Sequence, residues 1–314
     1  MSTVTRVRRK SSVLTPSSLP CLSTIPTVNL TVGCLHGCLY CYARSYREYP
    51  GEGRIIVYEN TLEKLHDELS RRLKAPRVVY FSPSSDLFQP IDEVLVLGES
   101  IIRFLLSRRI GVSFLTKGRI PDNMLQLLCE NPDLVSAQIG IIGVDEDVIR
   151  TFEPHAASPE RRLLQIETLV RAGVPTQARI DPILPTITDG SRESEALFAA
   201  LAGVGITQIA VDVLFLRPAI VQSLRKNPAD KRRLARLLGA FDRAERSGHD
   251  SSWRLPLEVR RETLARMQRT AAAHGIEVKV CGCENPDLAN GSCNIAGKYP
   301  RLPTMAVQPA LRGL

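Results

Sequence analysis

Strand-like and helical runs alternate between positions 27 and 214 at intervals of about thirty residues. The strand-like runs lie at 28–32, 77–81, 112–116, 134–142, 176–183 and 206–214. Helical spacing fills 62–73, 93–106, 121–129, 159–172 and 191–202. A strand that returns parallel to its predecessor needs a crossover of this length. Six such units fall short of the eight that close a barrel. The pattern predicts an α/β fold, a partial (β/α)6 TIM-like barrel over residues 23–216. Local signals agree. Asn60 or Thr61 precedes the first helix, Pro121 opens the third, and Ser158 and Gly173 flank the fourth.

Two segments lie outside this rhythm. Residues 1–22 carry Ser, Thr, Pro and the run Arg6-Val-Arg-Arg-Lys10 without periodicity, and read as a disordered basic tail. Residues 217–314 read as a helical, cysteine-bearing extension, with helices at 219–247 and 257–273 and a strand at 276–280. The chain's 314 residues are 44% hydrophobic, ample for one sizeable core. No leader-like h-region or 18-residue apolar run is present, so a cytoplasmic protein without a membrane span is expected. The formal net charge of +8 suits either a solvated Arg-rich surface or a polyanionic partner such as nucleic acid.

The first strand-like run leads into Cys34-Leu-His-Gly-Cys38-Leu-Tyr-Cys41. A loop with this C-x3-C-x2-C spacing can wrap one face of an iron–sulfur cube. A cubane normally takes four cysteines, so three leave one iron open, and an open metal position supports reactivity. Zinc is the alternative, although no second knuckle lies nearby; three unrelated buried thiols are another. The spacing, Tyr40 and the strand-then-loop setting favour the cluster. With 8 cysteines and no secretory signal, the thiols read as metal ligands in a reducing compartment. A second group, Cys281, Cys283 and Cys293, could hold an auxiliary iron–sulfur cluster or zinc, with Cys21 or Cys129 as a further ligand. It could also be a free-thiol tail, or supply a hydrogen-atom donor.

Reactive groups of β/α barrels gather at the carboxyl ends of strands. Ser84, Ser85 and Asp86 follow the second strand and Lys117 the third. Arg179 and Asp181 lie on the fifth, and Asp212 is near the end of the sixth. Lys117 could pair with a carboxylate, and Tyr40 could position an adenine by stacking or through its backbone. His36 reads as a solvent or supporting residue; His155 could face the mouth, although a loop histidine is more often structural.

The cysteine motif resembles that of the radical S-adenosylmethionine (SAM) superfamily. Several further stretches resemble its spore photoproduct lyase-like, DNA-repair-photolyase-related members. These are Ser84-Ser-Asp-Leu-Phe-Gln-Pro-Ile-Asp92, Leu115-Thr-Lys117, Phe152-Glu-Pro154 with Ser158-Pro-Glu-Arg161, and Ala178-Arg-Ile-Asp-Pro-Ile-Leu-Pro185. The resemblance implies a [4Fe–4S] cluster on Cys34, Cys38 and Cys41, and SAM chelated to its open iron. One electron would cleave SAM to a 5′-deoxyadenosyl radical that abstracts hydrogen from a substrate. It further implies that Lys117 contacts the SAM carboxylate, that Ser84, Ser85 and Arg179 line the pocket, and that a reductase, ferredoxin or flavodoxin supplies electrons. The lyase places a hydrogen-donating cysteine shortly before its Ser-Asp pair. Pro83 stands there in this chain, so that step is not carried over. The substrate expected is nucleic acid or a nucleotide. The alternatives are a small metabolite or peptide, or a non-catalytic iron–sulfur or zinc protein that binds nucleic acid.

Overall fold

Burial without alternation marks the central strands. Val78–Phe81 and Val135–Gly140 are buried at every position, and Gly111–Thr116 at all but Leu115. Such strands need cover on both faces, which a parallel sheet wrapped by helices provides. The computed structural model describes residues 2–17, 19–227, 230–247, 252–282 and 285–291. Its elements begin with β1 (Thr3–Val7), β2 (Thr27–Val28), β3 (Thr31–Val32), β4 (Arg54–Tyr58) and α1 (Thr61–Ser70). The repeating part follows as β5 (Val78–Phe81), α2 (Asp92–Ser107), β6 (Gly111–Thr116), α3 (Asp122–Cys129) and β7 (Val135–Gly140). It continues through α4 (Glu146–Phe152), α5 (Pro159–Arg171), β8 (Thr176–Ile183), α6 (Ser191–Gly203) and β9 (Gln208–Val213). The chain then runs through α7 (Pro218–Lys226), α8 (Lys231–Gly239), β10 (Glu245–Arg246), β11 (Trp253–Arg254), α9 (Leu257–Ala273) and β12 (Glu277–Val280).

The main sheet has the order β2-β5-β6-β7-β8-β9-β12, with every neighbouring pair parallel. Strands therefore follow one another in space as in sequence, and the sheet is the partial TIM-like barrel that the six-fold rhythm predicts. Their carboxyl ends share one mouth. The caps also follow the sequence: Ser158 Oγ accepts from the Arg161 backbone N–H at 3.2 Å, and Gly173 lies at φ +78° beyond α5. No described helix is long and apolar enough to cross a membrane.

Four features depart from the sequence reading. Residues 3–7 are a strand, not part of a disordered tail: β1 pairs in parallel with β4, about fifty residues away. Arg9 is buried, stacks 3.9 Å over Tyr58 and donates to the Asn29 carbonyl at 2.5 Å. The run at 28–32 is two short strands in different sheets, because the chain turns at Asn29, whose side-chain oxygen takes the Ser84 hydroxyl at 3.0 Å. The helix expected over 219–247 is split into α7 and α8. Asn227 is extended before Pro228, and proline cannot continue a helix. The strand at 276–280 is not a detached extension; β12 joins the barrel sheet beside β9. Cys283 and Cys293 lie outside the described residues.

Candidate functional site

The cysteine loop is shaped by backbone bonds and does not depend on its thiols. Gly33 opens it at φ +88°, where a Cβ would meet the Arg54 carbonyl oxygen at 2.5 Å, so the tight entry requires glycine. The Leu35 N–H donates to Gln89 Oε1 at 3.1 Å, and the Leu39 N–H to the Phe152 carbonyl at 2.9 Å. Arg44 reaches back to donate to the carbonyls of Cys38 and Gly37, both at 3.0 Å. Cys41 leads into a short 3-10 turn, Tyr42–Ser45.

Strand ends supply the opposite wall. Asp86 is buried after β5 and gathers four partners. Its carboxylate accepts from the Thr116 hydroxyl at 2.7 Å, the Phe88 N–H at 2.8 Å and the Lys117 N–H at 2.9 Å. His36 Nε2 lies 3.1 Å from Oδ2, the oxygen that also takes the Lys117 N–H, while His36 Nδ1 faces the His155 carbonyl. Burial alone would raise the Asp86 carboxyl. His36, the Lys117 N–H and the Thr116 hydroxyl outweigh it and hold the group below the ordinary range. His36 is thus a buried strut between loop and barrel and does not face solvent.

A second buried group was not singled out as functional from the sequence. Glu153 is fully buried. It pairs with the equally buried Arg162 at 2.5 Å, lies 3.7 Å from Lys117 Nζ and accepts from the Tyr40 hydroxyl. Arg162 also donates to the carbonyls of Gly140 and Ala157, each at 2.9 Å. Here too burial would raise the carboxyl, and Arg162 followed by Lys117 holds it down. Glu153 lies in the Phe152-Glu-Pro154 stretch and Arg162 follows Ser158-Pro-Glu-Arg161, but nothing local marks Glu153 as the partner of Tyr40 or Arg162 as the partner of Glu153. Tyr40 presents its ring to Lys117, whose Nζ is 5.3 Å from the ring centroid.

The predicted site residues meet in one cavity of about 340 Å³ at the mouth. Cys34, Cys38 and Cys41 line one side; Tyr40, Ser84, Ser85, Lys117 and Arg179 line it as well. Arg179 donates to Asp181 at 2.7 Å, and Lys117 Nζ donates to the Asp181 carbonyl at 2.7 Å. Asp212 accepts from Asn285, so the carboxyl-terminal segment closes the β9 side. Cys281 is buried at the same cavity, next to Cys21 in one apolar cluster. His155 stands apart from it, exposed on the outer side of the loop.

The donor set fits a cluster and a polar ligand. Burial pushes all three loop thiols up, reinforced at Cys34 by Asp86 and at Cys38 by Glu153. Three thiolates at this place need the positive charge of bound metal, which deprotonates coordinating thiols. Among the described residues no three His, Cys, Asp or Glu side chains converge on a single ion. A cubane gives each thiolate its own iron and needs no such point. The hydroxyls of Ser82 and Ser85 are buried at the cavity without hydrogen-bond partners among the described residues. Groups left so are poised for a ligand's polar atoms.

Gly140 sets the position of Lys117. A Cβ there would lie 2.8 Å from Lys117 Cγ. On the SAM reading that the resemblance implies, Gly140→Ala is expected to displace the lysine and weaken SAM binding about tenfold, the scale of one lost charged hydrogen bond. Equilibrium SAM binding to the reconstituted protein checks this; unchanged affinity would separate Lys117 from the ligand.

The family model of the Radical SAM superfamily matches residues 28–199. An uncharacterised protein of Mycobacterium tuberculosis is 30% identical over 201 residues, which cover 61% of this chain and 59% of that protein. The radical SAM Nalpha-GlyT isomerase of Pseudomonas phage M6 is 28% identical over 62% of this chain and 41% of its own length. The chain thus spans less than two thirds of these relatives. Among solved structures, spore photoproduct lyase complexed with dinucleoside spore photoproduct aligns with a TM-score of 0.65 at 18% identity, covering 88% of this chain and 82% of the lyase. A radical SAM methyltransferase from Sphaerobacter thermophilus aligns at 0.53 and 15% identity, over 86% of this chain and 70% of that one. At these identities the structures share the fold.

Proposed function

The chain belongs to the radical SAM superfamily, and from that premise we propose that Cys34, Cys38 and Cys41 hold a [4Fe–4S] cluster and that SAM binds in the adjoining cavity. When bound, the cluster supplies the electron that cleaves SAM to methionine and a 5′-deoxyadenosyl radical. The observation that carries the assignment is the meeting of three half-buried thiols, a lysine and serine hydroxyls without partners among the described residues at one barrel mouth. Lys117 offers a cation for the SAM carboxylate, restrained by Asp181 and Glu153. Ser84, Ser85 and Arg179 offer donors to its polar groups, and Tyr40 offers backbone to the adenine while its hydroxyl is engaged by Glu153. The apolar walls from Leu19, Leu22, Leu115 and Leu214 exclude water from the reacting atoms.

The substrate we propose is nucleic acid or a nucleotide. Its support is the fold shared with a lyase solved with a dinucleoside and the chain's positive charge. The protein would work in the cytoplasm, where its thiols stay reduced, with a ferredoxin, flavodoxin or reductase as electron source. An auxiliary cluster or zinc at Cys281, Cys283 and Cys293 is a separate proposal, supported by the spacing of the three thiols.

Anaerobic reconstitution with iron and sulfide tests both. The parent is expected to hold about four irons on the loop and to form 5′-deoxyadenosine from SAM under strong reductant. An intact cluster without SAM cleavage would sink the main reading. Equal iron in a variant with Cys281, Cys283 and Cys293 changed to Ala would remove the auxiliary cluster, and equal zinc the auxiliary zinc.

A further inference from the structure

Positive charge on this chain is concentrated. Residues 217–247 hold nine Lys and Arg against three Asp and Glu, so about a tenth of the chain carries +6 of its net +8. Most of these residues belong to α7 and α8. Arg225, Lys226, Lys231 and Arg232 are exposed and make no ion pair among the described residues. Lys231 and Arg232 occupy the first turn of α8, which contains no acidic residue. The helix dipole disfavours cations at that end, so helix stability does not account for them.

The α7 end of this basic segment adjoins the cysteine loop from outside. The α7 helix packs against Tyr42–Ser45, the turn immediately after Cys41. Between them opens a second cavity of about 610 Å³, lined by Cys34, Gly37, Arg44, His155, Ser223 and Lys226. Ser223 is buried, and its Oγ has no hydrogen-bond partner among the described residues. Glu52, an acid on the rim, is paired with Arg44 at 2.8 Å. Cys34 lines both this cavity and the one at the barrel mouth. The loop therefore has a substrate side and an outer side, with Cys34 between them.

We propose that the outer side, walled by the carboxyl end of α7 and flanked by α8, which packs against α7, docks an acidic electron-transfer protein. The proposal rests on the reading of the loop as a cluster site. One electron would pass from the partner's reduced flavin, hydroquinone becoming semiquinone, to the metal group on the loop. No bond forms or breaks in this chain. Electron transfer falls steeply with distance, so a donor must approach the loop itself, and the outer cavity gives that approach at Cys34. A nucleic-acid substrate must instead reach the barrel mouth, on the other side of Cys34. Redox encounters use small, charge-steered interfaces, which a pair of short basic helices can provide.

The test titrates an acidic flavodoxin into the full chain at low and high salt. The variants are Lys231→Glu with Arg232→Glu, Lys226→Glu, and Arg171→Glu as a control at the carboxyl end of α5. Acidic residues in the first turn of α8 favour the helix, so the double variant is expected to fold. Its flavodoxin affinity, and that of Lys226→Glu, should fall about 10- to 100-fold at low salt. The difference should shrink at high salt, and the control should match the parent. After reconstitution, dithionite-driven 5′-deoxyadenosine formation should stay at the parent level while flavodoxin-driven formation falls. Unchanged flavodoxin affinity overturns the proposal. So does loss of binding to a single-stranded oligonucleotide with flavodoxin affinity intact, which would assign the face to nucleic acid. Absence of product with dithionite in the parent would count against the cluster reading alone, and the binding arm would still decide the docking.

Discussion

A chain carrying Cys38→Ala is expected to fold as the metal-free parent does, to hold no iron–sulfur cluster, and to cleave SAM only at the no-enzyme background. The separation of folding from cluster loss follows from the loop's bonds. Its shape is set by the Leu39 N–H on the Phe152 carbonyl, by Arg44 on the carbonyls of residues 37 and 38, and by Gly33 against Arg54. None of these uses a thiol. The stability of the metal-free variant should therefore lie within about 1 kcal/mol of the metal-free parent. Cys34→Ala and Cys41→Ala should behave alike. Cys129→Ala should keep parent iron content, because that thiol sits on α3, near the Thr168 carbonyl. Iron and sulfide analysis, the spectrum of the reduced protein and a 5′-deoxyadenosine assay read the outcome. Parent iron content in Cys38→Ala would refute the ligand assignment.

Glu153→Gln is expected to destabilise the protein by about 3–5 kcal/mol, the range for removing one partner of a buried ion pair. Gln keeps the shape and can still take the Tyr40 hydroxyl, but Arg162 is left charged in the interior. Replacing Arg162 as well, by Gln, should recover part of the loss, because no unpaired charge then remains. The pH dependence has a definite sign. Glu153 is held below its ordinary value in the folded chain, so its stabilisation is present at neutral pH. It is lost as pH falls below the ordinary carboxylate range, through that lowered value. Glu153→Gln should accordingly flatten the acid limb of the stability curve. Denaturant unfolding across pH measures both effects. Parent-like stability and an unchanged acid limb would show that the buried group contributes nothing net.

Much of the fold was legible because its signals are local. Strand runs such as Val78–Phe81 are apolar at every position, and Ser158 and Gly173 punctuate α5 as their chemistry requires. The reading failed where the partner is distant or the run is short. Nothing in Thr3–Val7 announces Arg54–Tyr58, and a five-residue run with mixed polarity is ambiguous without its partner. Residues 28–32 divide between two sheets because Asn29 and Arg9 meet across the chain, a contact with no periodicity to reveal it.

The site divides in the same way. The thiols lie within eight residues, so sequence alone carries their spacing, and with it the superfamily. Strand-end positions were also readable, since a parallel sheet in sequential order must bring Ser84, Lys117 and Arg179 to one mouth. What tertiary structure alone decided was charge pairing. Glu153 is 36 residues from Lys117. Asp86 lies 50 from His36. The exchange of water for a buried counter-charge depends on three-dimensional approach and leaves no mark on local spacing. The sequence determined a barrel with a cysteine loop at its first strand. The tertiary structure decided how Glu153 and Asp86 tie that loop to the barrel, and that its outer face opens beside Lys226 of α7.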